Sequence, residues 1–266
     1  MQKNTDNLTI LSKERILKNI ANNSLQTDRL FLYGMTDSTN TRAREHAACG
    51  FDGSPCVFIA EGQYAGRGRR GRSFDSERCA GLYISFLFKP SGDMHDVTSV
   101  TAVAAVKVCR AIESLCEASL GIKWVNDVFV NGKKLAGILT EGEFDSEGSG
   151  LSYLVCGIGI NLKNRVFSDE LSKIATSVEE ATGELPDVNL LAAKIITEFF
   201  AESKDYMNEY RVRSTVIGKR VEVRRLTGES FFAVADSITD AGSLSVIKED
   251  GTCEELISAE VSLRHA

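Results

Sequence analysis

Gly66-Arg67-Gly68-Arg69-Arg70-Gly71-Arg72 puts four guanidinium groups and three glycines into seven residues. That composition is suited to gripping phosphate. Glycine brings backbone N–H groups close to a ligand, and each arginine offers a planar fork of donors to phosphate or carboxylate oxygens. On this segment alone a solvated charged loop or an RGG-like RNA-binding tract is an equal alternative. The net charge of -6 over 266 residues supplies no general basic field for nucleic acid, so the arginines are a local exception and a ligand loop gains ground.

Other segments carry chemistry of their own. Asp37-Ser38-Thr39-Asn40 offers hydroxyls and an amide, and also reads as a helix N-cap. Asn126-Asp127 pairs an amide with a carboxylate and, taken alone, also reads as an Asx turn. Lys133-Lys134 follows Asn131-Gly132, a type I′ hairpin signal, and in isolation is a surface pair beside a turn. In Gly157-Ile158-Gly159-Ile160-Asn161 the next residue is Leu162 where a dinucleotide fingerprint requires glycine, which rejects a Rossmann reading. Two glycines in a strand instead let a ligand approach the backbone. The seven cysteines are odd in number and never spaced as CxxC, and the three histidines are scattered, so neither a disulfide framework, nor structural zinc, nor a histidine triad is expected. No protein-only metal site is expected.

These groups need a scaffold. Apolar runs at 57–60, 82–88, 128–130, 135–141 and 151–158 predict strands, and helices are predicted at 40–48, 97–117 and 189–211. Their order predicts a mixed α/β unit with helices mainly on one face. Four short strands with glycine turns between them in the last 48 residues predict a small β-barrel. The division is therefore 1–28 as a short helical segment, 29–218 as the main domain and 219–266 as the barrel. No apolar run reaches membrane-span length and the N-terminus lacks a signal-peptide core, which predicts a cytoplasmic protein with no membrane partner.

Six segments in this order resemble the biotin protein ligases (biotin–[acetyl-CoA-carboxylase] ligases). They are Asp37-Ser38-Thr39-Asn40, Gln63 with the arginine loop, Lys123-Trp124-Val125-Asn126-Asp127, Lys134-Leu135-Ala136-Gly137-Ile138-Leu139 with Glu141, Gly157 to Asn161, and Glu260-Val261-Ser262-Leu263-Arg264. The resemblance implies a biotin/lipoate ligase-like domain followed by an SH3-like barrel. It also implies activation of biotin by ATP with Mg²⁺ to biotinyl-5′-AMP and pyrophosphate, then transfer of biotin to a lysine of a biotin carboxyl carrier domain. A lipoate or octanoate ligase of the same fold, and a non-catalytic biotin- or nucleotide-binding module, are the alternatives.

Carried over by resemblance, Lys134, Arg69 and Asp127 are the catalytic candidates. Biotin is assigned to Ser38, Thr39, Asn40, Gln63, Gly66, Arg67, Lys134 and Gly137. ATP and the adenylate are assigned to Arg69, Arg72, Phe74, Asn126, Asp127 and Asn161, with Mg²⁺ near Asp127. The loop is expected to order on ligand binding, and Trp124 to anchor the core. Phe74 and Val125 stand where many members carry tryptophan and proline. The N-terminal DNA-binding domain of the repressor members is not expected, so DNA is not a predicted partner, while a homodimer remains open.

Overall fold

The computed structural model describes residues 10–21, 25–91, 94–145, 147, 150–163, 169–202, 205–225, 227–257 and 259–263. Arg264 of the sixth segment lies outside them. In chain order the elements are α1 (Lys13–Asn19), β1 (Leu30–Thr36), α2 (Thr39–Ala48), β2 (Cys56–Gln63), β3 (Gly81–Phe88), α3 (Val97–Glu113), β4 (Gly121–Lys123), β5 (Asp127–Val130), β6 (Lys133–Phe144), β7 (Leu151–Asn161), α4 (Asp169–Ser172), α5 (Val178–Thr182), α6 (Val188–Phe200) and α7 (Tyr206–Val212).

The near-continuous apolar character of β2 and β3 has a direct cause, because both faces of the sheet are covered there. Val57, Ile59, Leu82, Ile84 and Phe86 belong to the large core, while Cys56, Phe58 and Leu87 belong to a smaller one with Ala43 and Ala47 of α2. α3 packs on β6 and β7 and against α6 and α7 on one face, while α2 packs on β2, β3 and β7 from the other. Phe199 of α6 stacks on Phe86 at 3.8 Å between ring centroids, and burying each such ring contributes about 1.5–3 kcal/mol. The sheet order is β1-β2-β3-β7-β6-β5-β4, with β1 and β2 parallel and every other pair antiparallel. Asn131 and Gly132 both have positive φ (50° and 78°) in the β5–β6 turn, as a type I′ hairpin requires.

Two expectations change. The single helix over 189–211 is two: α6 ends at Phe200, Ala201 is extended, and Asp205 is left-handed at φ 66° before α7 begins. The buried Lys107 ammonium donates to the carbonyls of Phe199 (3.0 Å) and Ala201 (2.5 Å), satisfying groups that a longer helix would have used internally. The N-terminal segment, where described, is built into the main core rather than set apart from it. Leu11 and Ile16 are core residues, and the backbone N–H groups of Ile10 and Leu11 donate to the buried Glu61 carboxylate at 2.5 and 3.1 Å.

After Gly218 the chain forms β8 (Arg220–Arg224), β9 (Ser230–Ile238), β10 (Leu244–Lys248), β11 (Cys253–Leu256) and β12 (Glu260–Leu263), an antiparallel sheet ordered β11-β10-β9-β8-β12. It is fastened to the larger unit by Trp124, whose buried Nε1 donates to the Gly242 carbonyl at 2.8 Å, so the expected anchor also bridges the two sheets. Arg211 Nε adds a bond of 2.6 Å to the Ile238 carbonyl.

Candidate active site

Strand register builds the site. Tyr83, Gly159, Gly137, Asp127 and Lys123 are successive partners across β3, β7, β6, β5 and β4, forming one row over five strands. Two glycines at the centre of the row leave a trough. The Phe74 ring uses it: a Cβ on Gly159 would come within 2.7 Å of that ring, and one on Gly137 within 3.3 Å. One row along, Gly157 makes room for the Asn40 amide, whose oxygen would lie 2.1 Å from an added Cβ.

Lys134 reaches this face through a β-bulge. β5 and β6 pair Val128 with Ala136 but Phe129 with Lys134, so Leu135 is an extra residue. Leu135 and Ala136 both point into the apolar core. Strict alternation would have sent Lys134 to the same side as Ala136 and Ile138; the shift of one residue turns it to the face of Gly137 and Asp127. Its backbone is pinned outside the sheet as well, since Lys134 N–H donates to the Ile174 carbonyl (2.8 Å) and its carbonyl accepts from Thr176 N–H (2.9 Å). The ammonium pairs with Asp127 Oδ1 at 2.7 Å and lies 5.9 Å from the Phe74 ring centroid.

Two adjoining recesses open on this face. The first is lined by Ser38, Thr39, Asn40, Gln63, Arg67 and Gly137, and the second by Arg72, Asp127, Lys123 and Glu260; Arg69, Phe74, Asn126 and Lys134 line both. The first holds neutral hydroxyl and amide groups. Cations gather in the second, an arrangement suited to an anion. Ser38 occupies the N-cap position of α2, yet its hydroxyl makes no capping bond; its own N–H donates to Asp37 Oδ1 at 2.6 Å. Asn126 is oriented by donating to the Ile138 carbonyl (2.9 Å), which turns its oxygen to accept from Arg69 Nη1 at 3.1 Å. Burial, with Arg70 beside it, holds the Arg69 guanidinium below its ordinary pKa, and Asp127 works the other way. Burial likewise lowers the Lys123 ammonium against the pull of Asp127.

The arginine loop forms a hairpin. Gly68 N–H donates to the Arg72 carbonyl (2.7 Å) and Phe74 N–H to the Gly66 carbonyl (2.9 Å), and Arg70 is left-handed at φ 59°. Arg67 pairs with Glu141 at 2.9 Å, and Arg70 and Arg72 pair with Glu260 of the C-terminal sheet. The loop is thus a hairpin held by its own backbone bonds and by the carboxylates of Glu141 and Glu260.

Two expected site residues stand elsewhere. Gly66 lines neither recess; its missing side chain accommodates the Phe74 carbonyl and Ser76 hydroxyl, 2.3 and 2.4 Å from an added Cβ. Asn161 also lines neither, for its buried amide donates to the Thr176 carbonyl at 3.1 Å and braces the strap that pins Lys134. Conversely, Lys123, Ser85, Glu141 and Glu260 were given no role in the sequence. The available signal was Ser85, a lone hydroxyl in the apolar run Leu82-Tyr83-Ile84-Ser85-Phe86-Leu87.

The profile of the Biotin/lipoate A/B protein ligase family matches residues 32–161, and that of the Biotin protein ligase C terminal domain matches 216–264. A biotin--[acetyl-CoA-carboxylase] ligase of Paracoccus denitrificans is 35% identical over 226 residues, covering 79% of this chain and 90% of the relative. The bifunctional ligase/repressor BirA of Bacillus spizizenii is 33% identical over 217 residues, 78% of this chain; the match spans 66% of that protein's length. Among solved structures, biotin protein ligase from Aquifex aeolicus in complex with biotin and ATP superposes with a TM-score of 0.73 at 28% identity, covering 90% of this chain and 99% of that one.

Proposed function

Since this chain belongs to the biotin protein ligase family, we propose that it activates biotin with ATP and transfers it to a lysine of a biotin carboxyl carrier domain. The observation that carries the reading is the position of Lys134, one ammonium lining both a recess rich in hydroxyl and amide groups and an adjoining one in which cations gather.

In the first step a biotin carboxylate oxygen attacks the α-phosphorus of ATP and pyrophosphate leaves with the P–O bond electrons. Both reactants are anions, so the barrier falls only where cations neutralise them together and hold them in line. Lys134, at the junction, contacts the carboxylate and the α-phosphate; Arg69, held by Asn126, takes the developing charge. Arg72 and Lys123 face the departing pyrophosphate. The ureido ring lies among Ser38, Thr39, Gln63 and Arg67, and Phe74 packs against adenine. No protein nucleophile is required.

In the second step the acceptor amine attacks the acyl carbon, the C–O bond to phosphate breaks, and AMP departs. Asp127 is the carboxylate beside the acyl phosphate and accepts the amine proton. Among the described residues no three His, Cys, Asp or Glu side chains stand together to hold a metal ion. Asp127, whose carboxylate faces the phosphate recess, suits Mg²⁺ that arrives with ATP and keeps most of its waters, and the ion would supply charge neutralisation there. No described helix is long and apolar enough to cross a membrane. The reading assigns biotin, ATP and the carrier as partners, not DNA, at a cytoplasmic address; a second copy of the chain is compatible with it.

The test is pyrophosphate release from ATP and Mg²⁺ with biotin, with lipoate and with no acid, in wild type and Lys134→Ala. Release that requires biotin and is lost in the variant supports the reading; release with lipoate, or with neither acid, overturns it.

A further inference from the structure

The wall of the first recess contains a chain of hydrogen bonds whose proton directions are fixed by its ends. Asn40 Nδ2 faces two acceptors, Glu141 Oε2 at 2.8 Å and the Leu139 carbonyl at 3.3 Å, so Asn40 Oδ1 is the atom facing Ser85 Oγ at 2.6 Å. An amide oxygen can only accept. The one proton of Ser85 therefore goes to Asn40. Ser85 Oγ also lies 2.7 Å from Thr39 Oγ1. With its own proton committed, Ser85 accepts there, and Thr39 donates inward, away from the recess.

The other side of the chain fixes Gln63 in the same manner. Thr39 N–H donates to Gln63 Oε1 at 2.8 Å, and Gln63 Nε2 donates to Ser76 Oγ at 3.0 Å, whose proton in turn goes to the Phe74 carbonyl at 2.9 Å. Thr39 has one proton to give, and the 2.7 Å contact to Ser85 is the better O–H···O distance than the 3.2 Å contact to Gln63 Oε1, so Thr39 Oγ1 and Gln63 Oε1 both face the recess as acceptors. Two converging acceptors ask for one donor.

We propose that Ser85 is a positioning residue: by drawing the Thr39 proton inward it makes Thr39 and Gln63 a paired acceptor, which restricts the bound acid to one whose ring presents an N–H at that point. This rests on the biotin-activating reading and deepens it. A cyclic urea has such a donor. A dithiolane ring has none and leaves both acceptors unmatched, so the discrimination between the two acids is set from β3, one layer behind the residues that touch the ligand.

The experiment measures acid-dependent pyrophosphate release by wild type, Ser85→Ala and Thr39→Val. The acids are biotin and its two cyclic carbamate analogues, in each of which one ureido N–H is replaced by a ring oxygen. Wild type should reject the analogue with oxygen opposite Thr39. In Ser85→Ala the Thr39 hydroxyl is free to turn and donate, so the biotin-to-carbamate ratio of kcat/KM should narrow by about tenfold or more. The KM for biotin should rise by about tenfold while kcat and the KM for ATP hold. A merely structural role would slow all three acids alike. An unchanged ratio in folded Ser85→Ala overturns the assignment, and so does a Thr39→Val enzyme that keeps the wild-type ratio, even if Ser85→Ala does not fold. Wild type without biotin-dependent release refutes the functional reading instead.

Discussion

Gly157→Ala and Gly159→Ala add the same methyl group to the same strand, and the structure expects different outcomes. At Gly157 the new Cβ would sit 2.1 Å from Asn40 Oδ1 and 2.8 Å from its Cγ. That amide is not free to retreat, because it accepts from Ser85 at 2.6 Å and donates to Glu141 at 2.8 Å and to the Leu139 carbonyl at 3.3 Å. Displacing it forfeits one neutral bond of about 0.5–1.5 kcal/mol and one charged bond of about 1.5–3 kcal/mol. A loss of about 2–4 kcal/mol follows, or a fall in Tm of roughly 5–15 °C for a chain of this size. At Gly159 the Cβ would meet the edge of the half-buried Phe74 ring at 2.7 Å. The ring can swing, so the loss of stability should stay below about 1 kcal/mol, and the effect should surface in the KM for ATP. Thermal melts and urea titrations of both variants, with steady-state kinetics, make the comparison. Equal stability of the two, or a larger loss at Gly159, would refute the claim that Asn40 is locked.

Lys134→Ala should lower kcat for adenylation by about 10²–10³, the range for loss of one aligned charge donor, read as pyrophosphate release at saturating biotin and ATP. Glu141→Gln leaves Arg67 without its carboxylate partner and makes the Asn40 bond a neutral one, and should raise the KM for biotin by about tenfold and lower stability by about 1 kcal/mol. At Glu209, burial raises the carboxyl pKa but the bonds from Arg110 and Arg213 outweigh it, and the folded value lies below the usual 4.5. A depressed folded pKa gives stability that is whole above 4.5 and fades as pH falls through the folded value. The stability gap between wild type and Glu209→Gln should therefore close at low pH; a gap that widens on acidification would contradict it. Trypsin should cut the arginine loop more slowly with biotin and ATP than without them, and equal cleavage would show that ligands do not tighten the hairpin.

Much of the scaffold was legible because its signals are local. The apolar run at 82–88 and the Asn131-Gly132 pair specify a buried strand and a hairpin turn by their own chemistry, and both are present. The break between α6 and α7 was not legible, since the group that satisfies the carbonyls where the helix ends is Lys107, about ninety residues earlier in the chain. The partner of the Asn161 amide was not legible for a related reason. A polar residue after two glycines at a strand end looks the same in sequence whether its amide meets a phosphate or the Thr176 carbonyl.

The sequence by itself determined the inventory of chemistry: a glycine-arginine loop, two lysines, one aspartate, and hydroxyl and amide groups in a fixed order along mixed α and β elements. Residue type sets donor, acceptor and charge before any folding occurs. Which of these groups face one another was decided only by tertiary structure. A one-residue bulge moves Lys134 from the core side of β6 to the glycine trough, where it meets Asp127. The Thr39 proton is aimed by Ser85, which lies 46 positions along the chain yet 2.7 Å away. Strand register and hydrogen-bond direction are properties of partners, and a single segment read alone contains only one side of each pair.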